Sequence, residues 1–196
     1  MLQAISLKIL HITPYYPPDV NFGGPVSSVS ALCEALVEAG AQVTVFTIAY
    51  GERPPRTEML NGVRVHYFRG DHGEPCQVSL QLWKAIKREA HRFDVAHLHT
   101  WWNILIFRSL YLLKKKKVPA IISVRGMLSD YSFGHRKTLL KRQFQEKIGV
   151  KLLKGVGLHA TSDSEAEEMS LRSERPLQEV EIIPNLLSLT QAQHYE

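Results

Sequence analysis

Leu7-Lys8-Ile9-Leu10-His11-Ile12, Asn21-Phe22-Gly23-Gly24-Pro25 and Gln42-Val43-Thr44-Val45-Phe46-Thr47 decide the fold. The first is a short apolar strand, stopped by Thr13-Pro14-Tyr15-Tyr16-Pro17-Pro18 because proline cannot donate to a ladder. The second is a turn. After it Val26, Val29, Leu32, Cys33, Leu36 and Val37 recur at helical spacing, and Gly40 ends the helix. The third is a second strand. Strand, glycine loop, helix and strand make a βαβ unit, whose strands are parallel and joined by a right-handed crossover.

The alternation continues outward. Strands are predicted at Val63–Phe68 after an Asn61-Gly62 turn, and at Asp94–His99, Ala120–Val124, Gly157–Thr161 and Val180–Ile183. Helices are predicted at Val78–Arg92, Asn103–Lys114 and Arg136–Lys154, with a short acidic helix after Ser162-Asp163-Ser164-Glu165. That tetrad has the form of a capping box, in which a hydroxyl accepts a backbone N–H and the glutamate reaches back. Leu139, Leu140, Phe144, Ile148 and Leu152 form the apolar side of the 136–154 helix. The pattern is a Rossmann-like, doubly wound α/β domain with a parallel sheet of about seven strands. Such sheets bind ligands at the C-terminal ends of their strands, so the candidate residues are those just past each strand.

With 196 residues, 44% hydrophobic and 22% charged, the chain is an ordinary globular domain rather than a disordered one. Its best apolar run, Ile104 to Leu113, is interrupted by Arg108 and too short to span a bilayer. Cys33 and Cys76 have no CxxC spacing, which argues against a disulfide scaffold or thiolate zinc site and for a reducing cytoplasm. The net charge of +5 suits acidic partners. Between Arg136 and Lys154 seven basic residues face one acid, Glu146; such a stripe fits an anionic membrane surface, or is simply a solvated helix face. No nucleic-acid motif accompanies it.

Gly23 and Gly24 sit between the first strand and helix, where a backbone can approach a phosphate or merely pack a tight turn. The pair belongs to neither GxGxxG nor a P-loop, and Thr47-Ile48-Ala49 offers no ribose-binding acid, which argues against a nicotinamide oxidoreductase. His97 and His99 share one face of a strand. A metal needs a third ligand, which the sequence does not place, so no metal is expected. His99, at the strand's end, is the candidate for proton transfer or sugar contact, with His97 as the structural partner one step deeper. Arg125-Gly126 offers a permanent cation suited to phosphate or carboxylate, or a salt bridge to a neighbouring loop. Ser162 is explained by capping, with ligand binding a secondary role. Trp101 and Trp102 suit stacking on a sugar or lipid, although aromatic pairs more often belong to a core or a subunit contact.

Taken together, the chain resembles the N-terminal domain of family 4 GT-B glycosyltransferases along nearly its whole length. The resemblance is carried by Ile9 to Pro18, Gly23-Gly24-Pro25, Asp94 to His99, Ser123-Val124-Arg125-Gly126-Met127-Leu128, Leu158 to Ala166, and Ile182-Ile183-Pro184-Asn185. It implies a domain over residues 1–184 and the start of an interdomain linker over 185–196. It implies a retaining, metal-independent glycosyltransferase without cofactor. Sugar would pass from a nucleotide-sugar donor to a lipid-linked or glycan acceptor in bacterial O-antigen, capsule or exopolysaccharide synthesis. Gly23 and Gly24 would face the donor diphosphate and acceptor, and His99 the transferred sugar. Arg125 stands where many members have histidine, and Leu186 replaces the usual glycine of the Pro-Asn-Gly hinge. The chain stops at Glu196, so the C-terminal donor domain is expected to lie outside it, and the fragment alone to be inactive. The other reading is a non-catalytic acceptor- or partner-binding domain working with a separate donor-binding subunit. The expected location is cytoplasmic, peripheral on the inner face of the membrane through residues 136–154.

Overall fold

The computed structural model describes residues 6–18, 24–50, 54–71, 77–134 and 138–185. Gly23, Cys76, Arg136, Lys137 and the linker beyond Asn185, including Leu186, lie outside the described residues. In chain order the strands are β1 (Lys8–Ile12), β2 (Gln42–Ala49), β3 (Arg56–Leu60), β4 (Val63–Arg69), β5 (Val95–His99), β6 (Ala120–Ser123), β7 (Gly157–Ala160) and β8 (Val180–Ile182). The helices are α1 (Gly24–Glu38), α2 (Leu80–Glu89), α3 (Ile104–Lys115), α4 (Asp130–Gly134), α5 (Thr138–Phe144), α6 (Val150–Leu153) and α7 (Asp163–Ser173). A π-helical turn, Gln145–Gly149, joins α5 to α6. Among the described residues no helix is long and apolar enough to cross a membrane.

One sheet runs in the order β3-β4-β2-β1-β5-β6-β7-β8. It is parallel except for β3, which pairs antiparallel with β4. The sheet thus has eight strands rather than about seven. Asn61 (φ 48°) and Gly62 (φ 81°) form the two-residue turn that joins β3 to β4. A Cβ on Gly62 would stand 2.7 Å from Val37 Cγ1 on α1, so glycine is required there both for φ and for helix packing. Gly62→Ala is expected to destabilise the domain by about 2 kcal/mol or more, read as a shift in urea midpoint with unchanged slope.

Period-2 alternation sends Leu10, Ile12, Phe46, Ile48, Ala96 and Leu98 to one face, against α2 and α3. Val43, Val45, Val63, Val65 and Tyr67 face the other way, against Val29 and Cys33 of α1. Both faces are therefore covered, as a parallel sheet requires. Cys33 is a buried free thiol, its pKa pushed up to about 12 by desolvation.

In the segment from Thr138 to Leu153 the apolar side is not the side that faces the core. Leu139 is 71% exposed, Leu140 64% and Ile148 47%, so these three do not face the core. The buried line is Gln145, Gly149 and Leu153. Gln145 accepts from Trp101 Nε1 at 2.9 Å and donates to Arg172 O at 2.8 Å, which fully engages a buried amide. A Cβ on Gly149 would collide with that amide at 2.4 Å, so the glycine makes room for it. Trp101 is fully buried, and Trp102 donates from Nε1 to Met127 O with Lys141 over its ring. Both tryptophans are packing residues, not a stacking platform.

Candidate functional site at the switch point of the sheet

The strand order reverses between β1 and β5, which have their sequence neighbours on opposite sides. Ligand crevices open at such a point, beyond the carboxyl ends of the strands. His11 of β1 pairs in register with His97 of β5, and His99 follows on the same face. The three rings cluster with centroids 4.2–5.2 Å apart, His11 stacked on His99 and His97 tilted against both. His11 is the partner that the sequence did not point to, being 88 residues from His99. His99 is 0% exposed and His97 8%, so the end-of-strand histidine is no shallower than its neighbour.

Burial holds all three imidazoles neutral. Desolvation, with the cation of Arg125 adding to it, lowers the His11 pKa to about 3. His97 and His99 are lowered well below the ordinary value by desolvation first, then by the neighbouring imidazoles and the Arg125 cation, each of which disfavours a further positive charge. His11 Nδ1 and His99 Nε2 share a 2.9 Å hydrogen bond. Arg125 Nη2 lies 3.5 Å from His99 Nδ1 and can only donate. The His99 proton therefore sits on Nε2 and is donated to His11, which leaves a proton on His11 Nε2. Among the described residues that buried nitrogen has no partner.

A second chain of bonds runs beside the first. His159 Nε2 donates to Ile183 O at 2.9 Å, and its Nδ1 lies 2.6 Å from Ser123 Oγ. The same hydroxyl lies 2.7 Å from His97 Nε2, so Ser123 donates to one ring and accepts from the other.

Arg125 and Gly126, just past β6, both lie in the left-handed region (φ 53° and 72°), which costs the arginine about 1 kcal/mol. Thr100, just past β5, is left-handed too (φ 74°), an outlier for a β-branched residue. Strain at the ends of two adjacent strands marks a position that the surrounding structure over-determines. The strain aims the Arg125 guanidinium across the edge. Nη1 donates to Ser28 Oγ of α1 at 2.8 Å and to Asn185 Oδ1 at 2.7 Å. Among the described residues Arg125 Nε has no partner and no carboxylate pairs with the guanidinium. Burial lowers its pKa, with Glu165 the chief opposing charge.

Glu165 fixes this turn. Its Oε1 accepts from Gly126 N at 2.6 Å, and its Oε2 accepts from Thr161 N and Oγ1, both at 2.7 Å. Ser162 caps α7 as expected, accepting from Glu165 N at 3.3 Å. The glutamate, however, reaches one residue further back than a capping box, and across to the next strand's loop. Ser162 Oγ also lies 3.1 Å from Ser164 Oγ and holds its place by capping. Gly24 opens α1 at the exposed rim of the same edge. His99, Arg125, Gly126 and Ser162 are thus brought to one edge of the sheet. Ser28, Ser123, His159, Glu165 and Asn185 join them through contacts that no local pattern announces.

One nitrogen from each of His11, His97 and His99 falls within a 4.8 Å cluster, so a third imidazole is present where the sequence placed two. The electrostatics favour an anion over a cation. A guanidinium stands beside His99, and Glu165, its chief opposing charge, is engaged by three donors. A half-buried cation without an ion-pair partner among the described residues is suited to phosphate or carboxylate.

Residues 23–186 match the family described as "Glycosyl transferase 4-like domain". An uncharacterised glycosyltransferase of Methanocaldococcus jannaschii is 29% identical over 139 residues, 64% of this chain and 35% of the relative. One of the subunits of the phosphatidylinositol N-acetylglucosaminyltransferase of Arabidopsis thaliana is 33% identical over 67 residues, 34% of this chain and 14% of that protein. A glycosyltransferase structure from Rickettsia africae superposes with TM-score 0.57 at 12% identity, covering 97% of this chain and 48% of the other. The catalytic domain of Arabidopsis starch synthase IV, bound to ADP and acarbose, gives 0.53 at 12% identity over 92% and 52%. The chain spans about a third of the archaeal relative and about half of each of these two structures. With a match over most of its length, the chain belongs to the glycosyl transferase 4-like domain family.

Proposed function

We propose that this domain, residues 1–184, is the acceptor-side half of a retaining glycosyltransferase, with residues 185–196 leading into the linker to a donor-binding domain or subunit. The acceptor oxygen bonds to the anomeric carbon as the bond to the donor diphosphate breaks, and the hydroxyl proton leaves with the nucleoside diphosphate. Catalysis is positioning and stabilisation of the leaving group, without metal or cofactor. The substrates are a nucleotide sugar and a glycan or lipid-linked acceptor of bacterial surface polysaccharide synthesis. The reaction belongs to the cytoplasm, at the inner face of the membrane.

The single observation that carries this reading is the unneutralised guanidinium of Arg125, aimed at the open edge and bonded to the first residues of the hinge through Asn185. Arg125 receives the anionic group together with the N-terminal end of α1 at Gly24, while Gly23, outside the described residues, would complete that loop. His99 is the neutral hydrogen-bonding group at the floor of the site, Gly126 gives the turn its shape, and Ser162 borders it.

Sugar transfer by the longest endogenous form of the protein tests this. Arg125→Met is expected to lower its rate about 100-fold at unchanged folding. The 196-residue chain alone should transfer almost nothing. Wild-type rates in Arg125→Met would sink the assignment of that residue. An endogenous mass near 22.3 kDa, with a donor-binding protein that co-purifies, would replace the enzyme by the non-catalytic partner domain.

A further inference from the structure

At the amino ends of the strands, opposite the edge that carries His99 and Arg125, the sheet changes character. Residues two apart on a strand share a face. On the face that packs against α2 and α3, Leu10, Ile12, Phe46, Ile48 and Phe68 are apolar. The residues that precede them on that face are not: Lys8 on β1, Gln42 and Thr44 on β2, Arg64 and His66 on β4. These three strands are neighbours, with Lys8 in register with Gln42 and Thr44 with Arg64. α2 ends at Glu89, and the 3-10 turn Ala90–Arg92 follows it. A cavity of about 180 Å³ lies between the polar row and Glu89, Arg92 and Phe93. Phe93 packs edge-to-face with Phe46, centroids 6.3 Å apart, and so joins this wall to the core.

The charge of the cavity is unbalanced. Lys8, Arg64 and Arg92 are exposed cations, and among the described residues none of them has an ion-pair partner. The acid in the wall, Glu89, is held through Oε1 by Arg88, 3.0 Å from Nε, and its Oε2 keeps its capacity to accept. Asp94, next to Phe93 in the chain, accepts from Lys8 N at 2.8 Å. His66 is half-buried, with Nδ1 2.8 Å from Thr57 Oγ1. Desolvation lowers its pKa, Glu89 opposes the shift and Arg64 adds to it, so the three side chains lie within electrostatic reach of one another.

We propose that this cavity binds free hydrogen phosphate. Three cations line a space of the right size for a tetrahedral oxyanion, and Gln42 and Thr44 add neutral donors. Glu89 selects among such anions. A carboxylate repels sulfate, which has no proton at neutral pH, but accepts the O–H that hydrogen phosphate retains. A phosphomonoester loses its second proton at about pH 6 and so lacks that O–H at neutral pH. At about 3.3 Å per residue, Lys8 stands about 10 Å along β1 from His11. The cavity is therefore separate from the site at the other edge, and its occupancy does not rest on the transferase reading.

Titration of the 196-residue chain with inorganic phosphate at constant ionic strength tests this, followed by NMR through the His66 ring resonances. They should shift with a Kd of about 1 mM, and His66 should titrate at a higher pH when phosphate is bound, because a bound anion favours imidazolium. Sulfate and glycerol phosphate should bind about tenfold more weakly. Glu89→Gln should remove that preference by raising the affinity for sulfate to that for phosphate. Arg64→Gln with Arg92→Gln should weaken phosphate binding about tenfold while the thermal midpoint of the free protein holds, because both side chains are exposed. In Arg125→Met the His66 response should be unchanged, which separates this cavity from the opposite edge of the sheet. No His66 shift at up to about 20 mM phosphate overturns the proposal. So does equal binding of sulfate by the wild-type protein, or full phosphate binding by the double arginine variant. None of these arms uses a nucleotide sugar, so a failed transfer assay and a failed phosphate site are separate results.

Discussion

Acidification from about pH 7 to about pH 5 should remove folding free energy through His11, His97 and His99, about 2 kcal/mol of it from His11 alone. In the fold each ring stays neutral, with the His11 pKa at about 3 and the other two well below 6.5. In the unfolded chain each takes up a proton near 6.5. Between those values the unfolded state binds more protons, so stability is full above 6.5 and is lost as the pH falls below it. The groups facing the rings do not rescue them: Arg125 is a cation and Ser123 is a neutral hydroxyl. Urea midpoints measured across this range should fall continuously, and a flat profile would exclude the neutral cluster. His11→Phe should make the pH dependence shallower, whatever it does to absolute stability, because the unfolded chain then takes up one proton fewer.

The second large effect is expected at Glu165. Glu165→Ala removes the buried carboxylate that accepts from Gly126 N, Thr161 N and Thr161 Oγ1 and should cost about 3 kcal/mol. Glu165→Gln keeps the volume and one acceptor, turns an NH2 group toward the other amide, and should cost about 2 kcal/mol. Both variants release the turn that holds Arg125 at φ 53°, so the Arg125 side-chain resonances in an NMR spectrum should shift with the loss of stability. A Glu165→Ala protein within about 0.5 kcal/mol of wild type would mean that this carboxylate does not hold the site together.

The hairpin that adds β3 carries its signal in plain view. Asn61-Gly62 is a two-residue hairpin turn, and a turn of that type implies a strand on each side. The preceding Arg56-Thr57-Glu58-Met59-Leu60 is too polar to read as a strand by its apolar pattern, and that polarity is what an edge strand needs in order to resist further pairing. For the 138–153 helix the local pattern points the other way. Its leucines and isoleucine form an apolar stripe, yet Gln145 and Gly149 face inward. The reason is a non-local bond: the Trp101 indole needs an acceptor, and Gln145, 44 residues away, supplies it.

By itself, the sequence determined the alternation of strands and helices that makes the parallel sheet, the turn at Gly62, the cap at Ser162 and the family. Those features depend on residues a few positions apart, through periodicity, φ preference and side-chain capping, and any short window contains them. Only the tertiary structure decided that His11 lies against His99, Glu165 against Gly126, and Arg125 between α1 and the hinge. These partners are separated by 39 to 97 residues. They meet because β1 and β5 are neighbours at the centre of the sheet. Strand order is set by the burial of both faces of the whole sheet, and no local stretch of chain contains that information.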